Sequence, residues 1–269
     1  MMSSFLDPLP RVIAHRGDSH NHPENTVPAF ISALKMGIDV IETDVHLTKD
    51  NQIVIWHDPT LERNTNGHGK IEDYTLAELK TFDAGYMFSP DGGITYPYRG
   101  TGVVMATLQE ALEACPTVRF NVDLKTKDRR IVSEFVHVVT AKQARLRVLC
   151  ASFHKSNLDL IRKTDPDILT SLTTIEVLPL LLKQKMGLLG SASKQKRKMI
   201  FQVPVRQWGI EVITSRFIEE FHRLGAIIQV WTINEEEEMR RLFAMGVDSI
   251  MTDNPALALE VASQMGLIN

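Results

Sequence analysis

The feature that most constrains this fold is an alternation of short apolar runs with longer amphipathic segments. Eight such runs stand out, and most of them are rich in Val and Ile and nearly continuous in apolar character, which is typical of strands covered on both faces. Helical patterns separate most of these runs, so the strands and helices form parallel crossover units. The predicted strands cover 11–15, 39–45, 119–124, 147–151, 167–172, 199–203, 226–233 and 247–252.

Eight such units predict an α/β fold, the (β/α)8 or TIM barrel. A doubly wound sheet shows the same alternation and is the alternative architecture. The length of 269 residues fits one large barrel or two ordinary domains. We interpret residues 1–269 as a single barrel domain.

One interval interrupts the alternation. About seventy residues separate Val45 from the third predicted strand, where a helix of about ten to fifteen residues would be enough. An additional strand over 52–56 and a short helix over 75–79 are predicted within it. We interpret residues 47–106 as a small insertion subdomain after the second strand, at the end of the barrel where active sites form.

Composition and charge exclude several classes of protein. Hydrophobic residues make up 43% of the chain and charged residues 23%, as in ordinary globular proteins. A net charge of −3 argues against a broad nucleic-acid-binding surface. The N-terminal residues lack the apolar run of a signal peptide, and no stretch approaches the ~18 apolar residues of a membrane span. We therefore expect a cytoplasmic protein without stable membrane insertion; its oligomeric state stays open.

Three acidic residues fall near the ends of predicted strands. Glu42 and Asp44 are two residues apart, so their side chains point to the same face of a strand. That face belongs at the barrel mouth, since burying two carboxylates against apolar helices would be costly. Asp123 and Lys125 repeat this spacing on the next strand. A hard divalent cation would hold the three acids together, whereas the alternative is a salt-bridged rim with Arg16 and Lys125.

Two histidines complete the candidate site. His15 and His57 lie at the ends of the first strand and the inserted strand, each followed by a charged and a turn-forming residue. Imidazole titrates near neutral pH, so the pair can serve as acid and base, and the Arg16 guanidinium suits a phosphate. No Ser or Cys nucleophile stands out. The residues therefore favour a metal-dependent phosphoester hydrolase.

The order of these short motifs resembles the glycerophosphodiester phosphodiesterase family. The resemblance covers about residues 11–260, and the combination of motifs is specific although each one alone is weak. The motifs are His15-Arg16-Gly17, Pro23-Glu24-Asn25-Thr26, Glu42-Thr43-Asp44, His57-Asp58, Asn121-Val122-Asp123-Leu124-Lys125, Val230-Trp231-Thr232-Ile233-Asn234, Gly246-Val247-Asp248 and Thr252-Asp253-Asn254-Pro255.

The resemblance implies a (β/α)8 barrel with an inserted subdomain. It also implies hydrolysis of a small-molecule glycerophosphodiester to glycerol 3-phosphate and an alcohol, with Ca²⁺ or Mg²⁺ as cofactor. The family mechanism uses the glycerol hydroxyl of the substrate as nucleophile and passes through a cyclic phosphate that water opens, which agrees with the lack of a protein nucleophile.

The resemblance also assigns roles to eight residues: three metal ligands, an acid and a base, a phosphate-binding pair and an apolar wall for glycerol. In that order they are Glu42, Asp44 and Asp123; His15 and His57; Arg16 and Lys125; and Trp231. Glu is frequent in the family at the position of Asp123, and the shorter Asp side chain can shift the metal or admit a bridging water.

Polar neighbours of these motifs receive structural interpretations. Asn25 and Asn234 are predicted to begin helices, and Glu24 to fix the loop that carries Arg16. We expect no catalytic role for His46, although it is two residues from Asp44 and would share its face.

Two other functions stay open. A barrel phospholipase acting on intact lipids would need an exposed apolar rim, for which the sequence offers only 86–88 and 96–98 of the insertion. A non-catalytic phosphate-ligand sensor could keep the fold, but it would not need a paired acid and base.

Overall fold

The computed structural model describes residues 4–189 and 197–268. Their strands include eight parallel ones in a nearly closed barrel, with helices in the connections. The strands are β1 (Val12–His15), β2 (Val40–Leu47), β3 (Ile53–Ile55), β4 (Arg119–Leu124), β5 (Val148–Ala151), β6 (Leu169–Thr170), β7 (Ile200–Pro204), β8 (Arg206–Gln207), β9 (Ile210–Glu211), β10 (Ile227–Trp231) and β11 (Ser249–Thr252). The helices are α1 (Val27–Lys35), α2 (Leu76–Leu79), α3 (Leu108–Ala114), α4 (Arg130–Ala141), α5 (Lys155–Thr164), α6 (Thr174–Lys185), α7 (Ser215–Arg223), α8 (Glu236–Met245) and α9 (Pro255–Gln264).

The barrel strands follow the order β6–β5–β4–β2–β1–β11–β10–β7. Within the described residues no ladder joins β6 to β7, and the hydrogen bond from Leu172 N to Ile200 O, 2.8 Å, connects this seam. All eight predicted barrel strands are present. The predicted barrel is confirmed, and the doubly wound sheet is wrong.

Alternate residues of the strands enter two apolar cores, as the pleat requires. Val12, Ile41 and Ile250 pack with residues of the surrounding helices. Their sequence neighbours Ile13 and Val40 point to the opposite face of the strands. They lie in a smaller cluster inside the barrel, together with Phe5 near the N-terminus. This inner cluster occupies the interior, so polar residues of the same strands come together only nearer their carboxyl ends.

The residues between β2 and β4 include the predicted additional strand and short helix. β3 pairs antiparallel with β2, with Val45 opposite Ile55. The side chain of Thr107 caps α3 in a capping box with Glu110, a pattern that Thr107-Leu108-Gln109-Glu110 shows in the sequence itself. This segment has its own apolar cluster, which contains Val54, Trp56, Leu61, Ile71, Leu79, Ala84 and Met105.

Two predicted helix starts are wrong. Thr26, not Asn25, caps α1, and α8 begins at Glu236 without a side-chain cap from Asn234. Both asparagine side chains are used elsewhere: Asn25 faces β2, and Asn234 accepts a hydrogen bond from Asp253 N at 2.9 Å. The amides satisfy polar groups of neighbouring strands and loops instead of helix ends.

Two further findings concern a short hairpin and the character of the helices. The β8–β9 hairpin was absent from the sequence prediction, because strands of two residues carry no readable periodicity. Over the described ranges, none of the helices has the length and apolar character needed to cross a bilayer.

Candidate active site

The residues predicted to form the site line one cavity at the carboxyl end of the barrel, with a volume of about 460 Å³. Strand register explains this convergence, because His15 lies opposite Glu42 between β1 and β2, and Asp44 lies opposite Asp123 between β2 and β4. The lining residues that the sequence singled out are His15, Arg16, Glu42, Asp44, His57, Asp123, Lys125 and Trp231.

The three carboxylates are buried and lie next to two cationic side chains. Lys125 Nζ is 2.8 Å from Asp44 Oδ1 and 2.7 Å from Asp123 Oδ2. Arg16 Nε lies 3.2 Å from Asp44 Oδ2 without the geometry of a hydrogen bond. The lysine and arginine therefore supply part of the positive charge that three neighbouring acids require.

Burial and the neighbouring charges give the carboxyl groups of Glu42 and Asp44 different pKa values. Burial, together with the charge of Asp44, raises the pKa of Glu42 to about 8. Burial also acts to raise the pKa of Asp44, but the nearby Lys125 and Arg16 outweigh it and lower that pKa below its usual value. Asp44 is thus ionised at neutral pH while Glu42 is mostly protonated, and another cation can take the place of that proton.

The oxygen atoms of the cavity fit a hard cation. No group of three or more His, Cys, Asp or Glu side chains in residues 4–189 and 197–268 is already arranged around a metal position. However, Asp123 Oδ1 and Asn121 Oδ1 are buried without a hydrogen-bond partner there, and both residues line the cavity. Carboxylate and amide oxygens are the donors that Ca²⁺ and Mg²⁺ prefer.

His15 is held between two carboxylates. Its Nδ1 is 2.7 Å from Asp253 Oδ1, and its Nε2 is 3.8 Å from Glu42 Oε2. Burial acts to lower the pKa of His15, but the charge of Glu42 and the hydrogen bond with Asp253 outweigh it, and the pKa is raised. Asp253 is fixed in turn by Ser19 Oγ at 3.1 Å and Asn234 Nδ2 at 2.7 Å.

His57 has an equivalent carboxylate neighbour. Its Nδ1 is 2.6 Å from Asp58 Oδ1, and Arg63 donates to the other oxygen of Asp58. Arg63 Nη1 also donates to Glu24 Oε2 at 3.0 Å, and Glu24 Oε1 accepts from Arg16 Nη1 at 2.9 Å. A continuous set of polar contacts therefore connects His57 with Arg16.

Buried polar contacts also fix Asp44 and the loop of His57. Asn25 Nδ2 donates to Asp44 Oδ2 at 2.9 Å, and Asn25 Oδ1 accepts from Thr43 Oγ1 at 2.7 Å. His46 Nε2 lies 3.0 Å from His57 O, a contact with the backbone rather than a place in the cavity lining.

Sequence reasoning did not assign Asp253, Asp58, Asn25 or Arg63 to the site. Asp58 and Asn25 stand beside or within the motifs, and that adjacency was a usable signal. Asp253 also stands within one of the motifs, but it approaches His15 across 238 positions of sequence, and no local pattern marks the two residues as a pair.

The segments 86–88 and 96–98 of the insertion, which the phospholipase alternative would use as an apolar rim, do not line the cavity. The Arg99 guanidinium lies over the rings of Tyr86 and Tyr96, at 4.2 and 3.8 Å from their centroids. Phe88 and Tyr98 pack edge to face at 5.4 Å. These aromatic residues contact one another and Arg99, and none of them lines the cavity.

Comparisons with known proteins identify the family of this barrel. A model of the glycerophosphoryl diester phosphodiesterase family matches residues 15–257. The chain is 31% identical to a glycerophosphodiester phosphodiesterase of Bacillus altitudinis, over 96% of this chain and all of that protein. It is similar to a crystal structure of a glycerophosphoryl diester phosphodiesterase from Silicibacter pomeroyi, with 26% identity, a TM-score of 0.79, and coverage of 96% and 94% of the two chains.

A second similar structure includes a bound product. It is a phosphodiesterase of Oleispira antarctica in complex with sn-glycerol 3-phosphate, with a TM-score of 0.78 and 25% identity. The match covers 97% of this chain and all of that one. With a family match that extends over nearly the whole barrel, this chain belongs to the glycerophosphoryl diester phosphodiesterase family and is a phosphoric diester hydrolase.

Proposed function

We propose that this enzyme hydrolyses small-molecule glycerophosphodiesters to glycerol 3-phosphate and an alcohol by histidine acid–base catalysis with a divalent cation. The observation that supports this most directly is that His15 and His57 line one cavity together with three carboxylates and two cationic side chains. A protein that only bound phosphate would need the cations but not two carboxylate-held imidazoles, which is why the sensor alternative is less favoured.

In the proposed reaction, the 2-hydroxyl of the substrate glycerol attacks phosphorus. One histidine removes the hydroxyl proton, the other protonates the leaving alcohol, and water then opens the cyclic phosphate. His15 and His57 suit these roles because Asp253 and Asp58 orient their Nδ1 atoms, which leaves each Nε2 for the substrate. The attack is intramolecular, so no protein nucleophile is required.

Arg16 and Lys125 are proposed to bind the phosphate. Arg16 Nε is buried, lines the cavity and lacks a hydrogen-bond partner in the described structure, so it can donate to an anion. Lys125 projects between Asp44 and Asp123 and would neutralise negative charge that develops on the phosphoryl oxygens.

Glu42, Asp44 and Asp123 are proposed to hold the divalent cation, with Ca²⁺ and Mg²⁺ as the candidate ions. The unpartnered Asp123 Oδ1 and the raised pKa of Glu42, about 8, both support added positive charge at this place. Such a cation would stabilise negative charge on phosphoryl oxygens.

The test is a screen of glycerophosphocholine, glycerophosphoethanolamine, glycerophosphoglycerol and glycerophosphoinositol for release of glycerol 3-phosphate, with metal added or chelated. We expect release that stops on chelation, and a loss of kcat of about 10²-fold or more in either His15→Ala or His57→Ala while the fold is retained. Ligand binding without product under every condition would favour the sensor. Rates like the wild type in either variant would contradict the acid–base assignment.

A further inference from the structure

Arg63 of the insertion contacts both loops that carry reactive side chains of the cavity. Its Nε donates to Asp58 Oδ2, and the other oxygen of Asp58 lies 2.6 Å from His57 Nδ1. Its Nη1 and Nη2 donate to Glu24 Oε2 and Oε1, at 3.0 and 2.6 Å. Three nitrogen atoms of one guanidinium therefore hold two carboxylates from different parts of the chain, although Arg63 itself lies outside the cavity lining.

Contacts within the loop over 60–69 fix the backbone that carries Arg63. Leu61 is fully buried in the apolar cluster of the insertion, and Leu61 N donates to Gly69 O at 3.0 Å. On the other side of Arg63, Thr65 Oγ1 donates to Leu61 O at 2.9 Å and accepts from Gly67 N at 2.9 Å. The insertion thus holds the arginine from both sides, and the side chain extends from this fixed base to the barrel loops.

Glu24 connects Arg63 with Arg16. Its Oε1 accepts from Arg16 Nη1 at 2.9 Å and from Arg63 Nη2. Burial acts to raise the pKa of Glu24, but the hydrogen bonds and charges of Arg63 and Arg16 outweigh it and lower that pKa. The ionised carboxylate anchors one end of the Arg16 guanidinium, while Arg16 Nε lies 3.2 Å from Asp44 Oδ2 in the cavity. The position of that Nε therefore depends on where Arg63 holds Glu24.

Asp58 connects Arg63 with His57. Burial acts to raise the pKa of Asp58, but the hydrogen bonds of Arg63 and His57 outweigh it and lower that pKa. Asp253, the corresponding carboxylate of His15, is fixed by two hydrogen-bond donors of its own. The donor that fixes Asp58 is the guanidinium of Arg63. Because a carboxylate orients an imidazole only when it is itself held, the orientation of His57 depends on Arg63.

We propose that Arg63 is a positioning residue, which fixes His57 through Asp58 and Arg16 through Glu24. The insertion would then set the spacing between an acid–base group and a phosphate-binding group. This inference rests on the proposed function of His57 and Arg16. A lysine could not replace Arg63, because it offers one nitrogen where three hold the two carboxylates. The competing interpretation is that Arg63 only attaches the insertion to the barrel and contributes to stability alone.

The first test is steady-state kinetics with glycerophosphocholine and the divalent cation present. We expect Arg63→Ala to lower kcat about 10- to 100-fold and to raise KM about fivefold, since a displacement of about 1 Å at a reacting group costs a factor of this size. Arg63→Lys should stay within about threefold of Arg63→Ala. A lysine variant as active as the wild type would overturn the role of the three-nitrogen contact.

Chemical rescue separates positioning from stability. The Arg63 side chain is 45% exposed, so a small guanidinium compound can reach its place. Ethylguanidinium, at concentrations that leave Tm unchanged, should raise kcat of Arg63→Ala at least threefold and leave the wild type unaffected. The absence of any rescue, with the variant folded by circular dichroism, would contradict positioning by the guanidinium.

Arg99→Ala is the matched control. Arg99 is also an exposed arginine of the insertion, and its guanidinium contacts the rings of Tyr86 and Tyr96 rather than the barrel loops. This variant should keep kcat and KM within about twofold of the wild type. Equal kinetic losses in Arg63→Ala and Arg99→Ala, or a lower Tm in Arg63→Ala with kinetics like the wild type, would both favour the purely structural interpretation.

A multiple-variant comparison tests the two connecting carboxylates. When Glu24→Gln and Asp58→Asn are already present, adding Arg63→Ala should change kcat and KM by less than about threefold, because its effect passes through those side chains. If Arg63→Ala still lowers kcat by its full factor in that background, it acts by another route and the proposal is wrong.

Binding provides a reading that does not require turnover. In calorimetry with glycerol 3-phosphate, Arg63→Ala and Glu24→Gln should each raise Kd at least fivefold, whereas Arg99→Ala should leave it within about twofold. This Kd difference in a protein without phosphodiesterase activity would support the link from Arg63 to Arg16 and contradict the proposed function. An active wild type whose kcat, KM and Kd are all unchanged in Arg63→Ala would contradict the positioning role alone.

Discussion

At the scale of single residues, each histidine of the cavity is fixed by a carboxylate, and the two carboxylates differ in how far they lie from their histidine along the chain. Asp58 follows His57 directly in the chain, whereas Asp253 reaches His15 from the loop after the last barrel strand. A sequence can suggest the first pair, because the two residues are adjacent. The second pair depends on the closure of the barrel between β1 and β11, which no local pattern contains.

We expect Asp253→Asn to lower kcat about 10- to 100-fold with a smaller effect on KM, because the neutral amide no longer stabilises a charged imidazole. Burial acts to raise the pKa of Asp253, but its hydrogen bond with His15 and the charge of that histidine bring it down to about 2. The carboxylate is therefore ionised and raises the pKa of His15. Its removal should move the His15 limb of the pH–rate profile to lower pH, which steady-state kinetics between about pH 5 and 9 will measure.

Asp248→Asn is the control for this prediction. Asp248 also contacts a histidine, His222 Nε2 at 2.8 Å, but it precedes β11, at the end of the barrel away from the cavity. Its replacement should affect stability and leave the pH–rate profile in place. A profile for Asp253→Asn that coincides with that of the wild type would contradict the positioning role.

At the scale of secondary structure, elements with long buried patterns were predictable and those set by tertiary contacts were not. β2 is buried at all eight positions, and a strand over 39–45 was readable from its Val and Ile residues despite its two acids. The capping box of Thr107 was equally local. Asn25 and Asn234 look like caps by residue type, yet contacts with β2 and with the Asp253 loop determine their conformations.

Glu176 connects the start of α6 to the rest of the barrel. It completes the capping box of Thr173 and accepts a hydrogen bond from Arg162 Nη1 at 2.8 Å. Burial acts to raise its pKa, but the bonds from Arg162 and from the backbone of Thr173 bring it to about 2. Because this folded-state pKa is below the unfolded value, the carboxylate stabilises the protein above about pH 4.5 and that contribution is lost as the pH falls towards 2.

Glu176→Gln should therefore reduce the free energy of unfolding by about 2 kcal/mol at pH 7, where a charged hydrogen bond and a cap are weakened. The difference from the wild type should shrink between pH 4.5 and pH 2. Urea denaturation of both proteins at pH 7, 4 and 2.5 measures it. A difference that stays constant over this range would show that the carboxylate charge is not what stabilises α6.

At the scale of the whole molecule, the barrel topology brings the site together. The ladders β1–β2 and β2–β4 align His15, Glu42, Asp44 and Asp123 at one end, so the strand pattern and the positions of polar residues were sufficient to predict their meeting. The salt-bridged alternative named Lys125 as a partner of the acids, but the sequence could not predict that it would contact both Asp44 and Asp123, since that depends on side-chain packing within the mouth. The cytoplasmic location stays a prediction.

A cation held by the three carboxylates should stabilise the entire fold. At a concentration of about 100 times its Kd, such an ion adds about 2.7 kcal/mol, which corresponds to a rise in Tm of about 5 °C for a chain of this size. We expect Ca²⁺ or Mg²⁺ to produce this shift in calorimetry. Glu42→Gln should weaken or abolish it, and Glu113→Gln, which changes an exposed residue of α3, should not.

The same measurement decides between the two interpretations of the acidic cluster. If millimolar concentrations of both ions leave Tm unchanged, Arg16 and Lys125 are the partners of these acids and the mouth is a salt-bridged rim. That result would leave the barrel intact but remove the metal from the proposed mechanism.

The incomplete pairing of β6 with β7 has a consequence for how such a barrel can diversify. The histidines and carboxylates are carried by β1, β2, β4 and the loops after β3 and β11, whereas α6 and the β8–β9 hairpin flank the seam on the opposite arc. Among residues 4–189 and 197–268 few main-chain bonds cross that seam, so insertions and substitutions there disturb little of the sheet. Sequence changes on this arc can therefore alter which substrates the cavity admits, while the reactive side chains on the opposite arc stay the same.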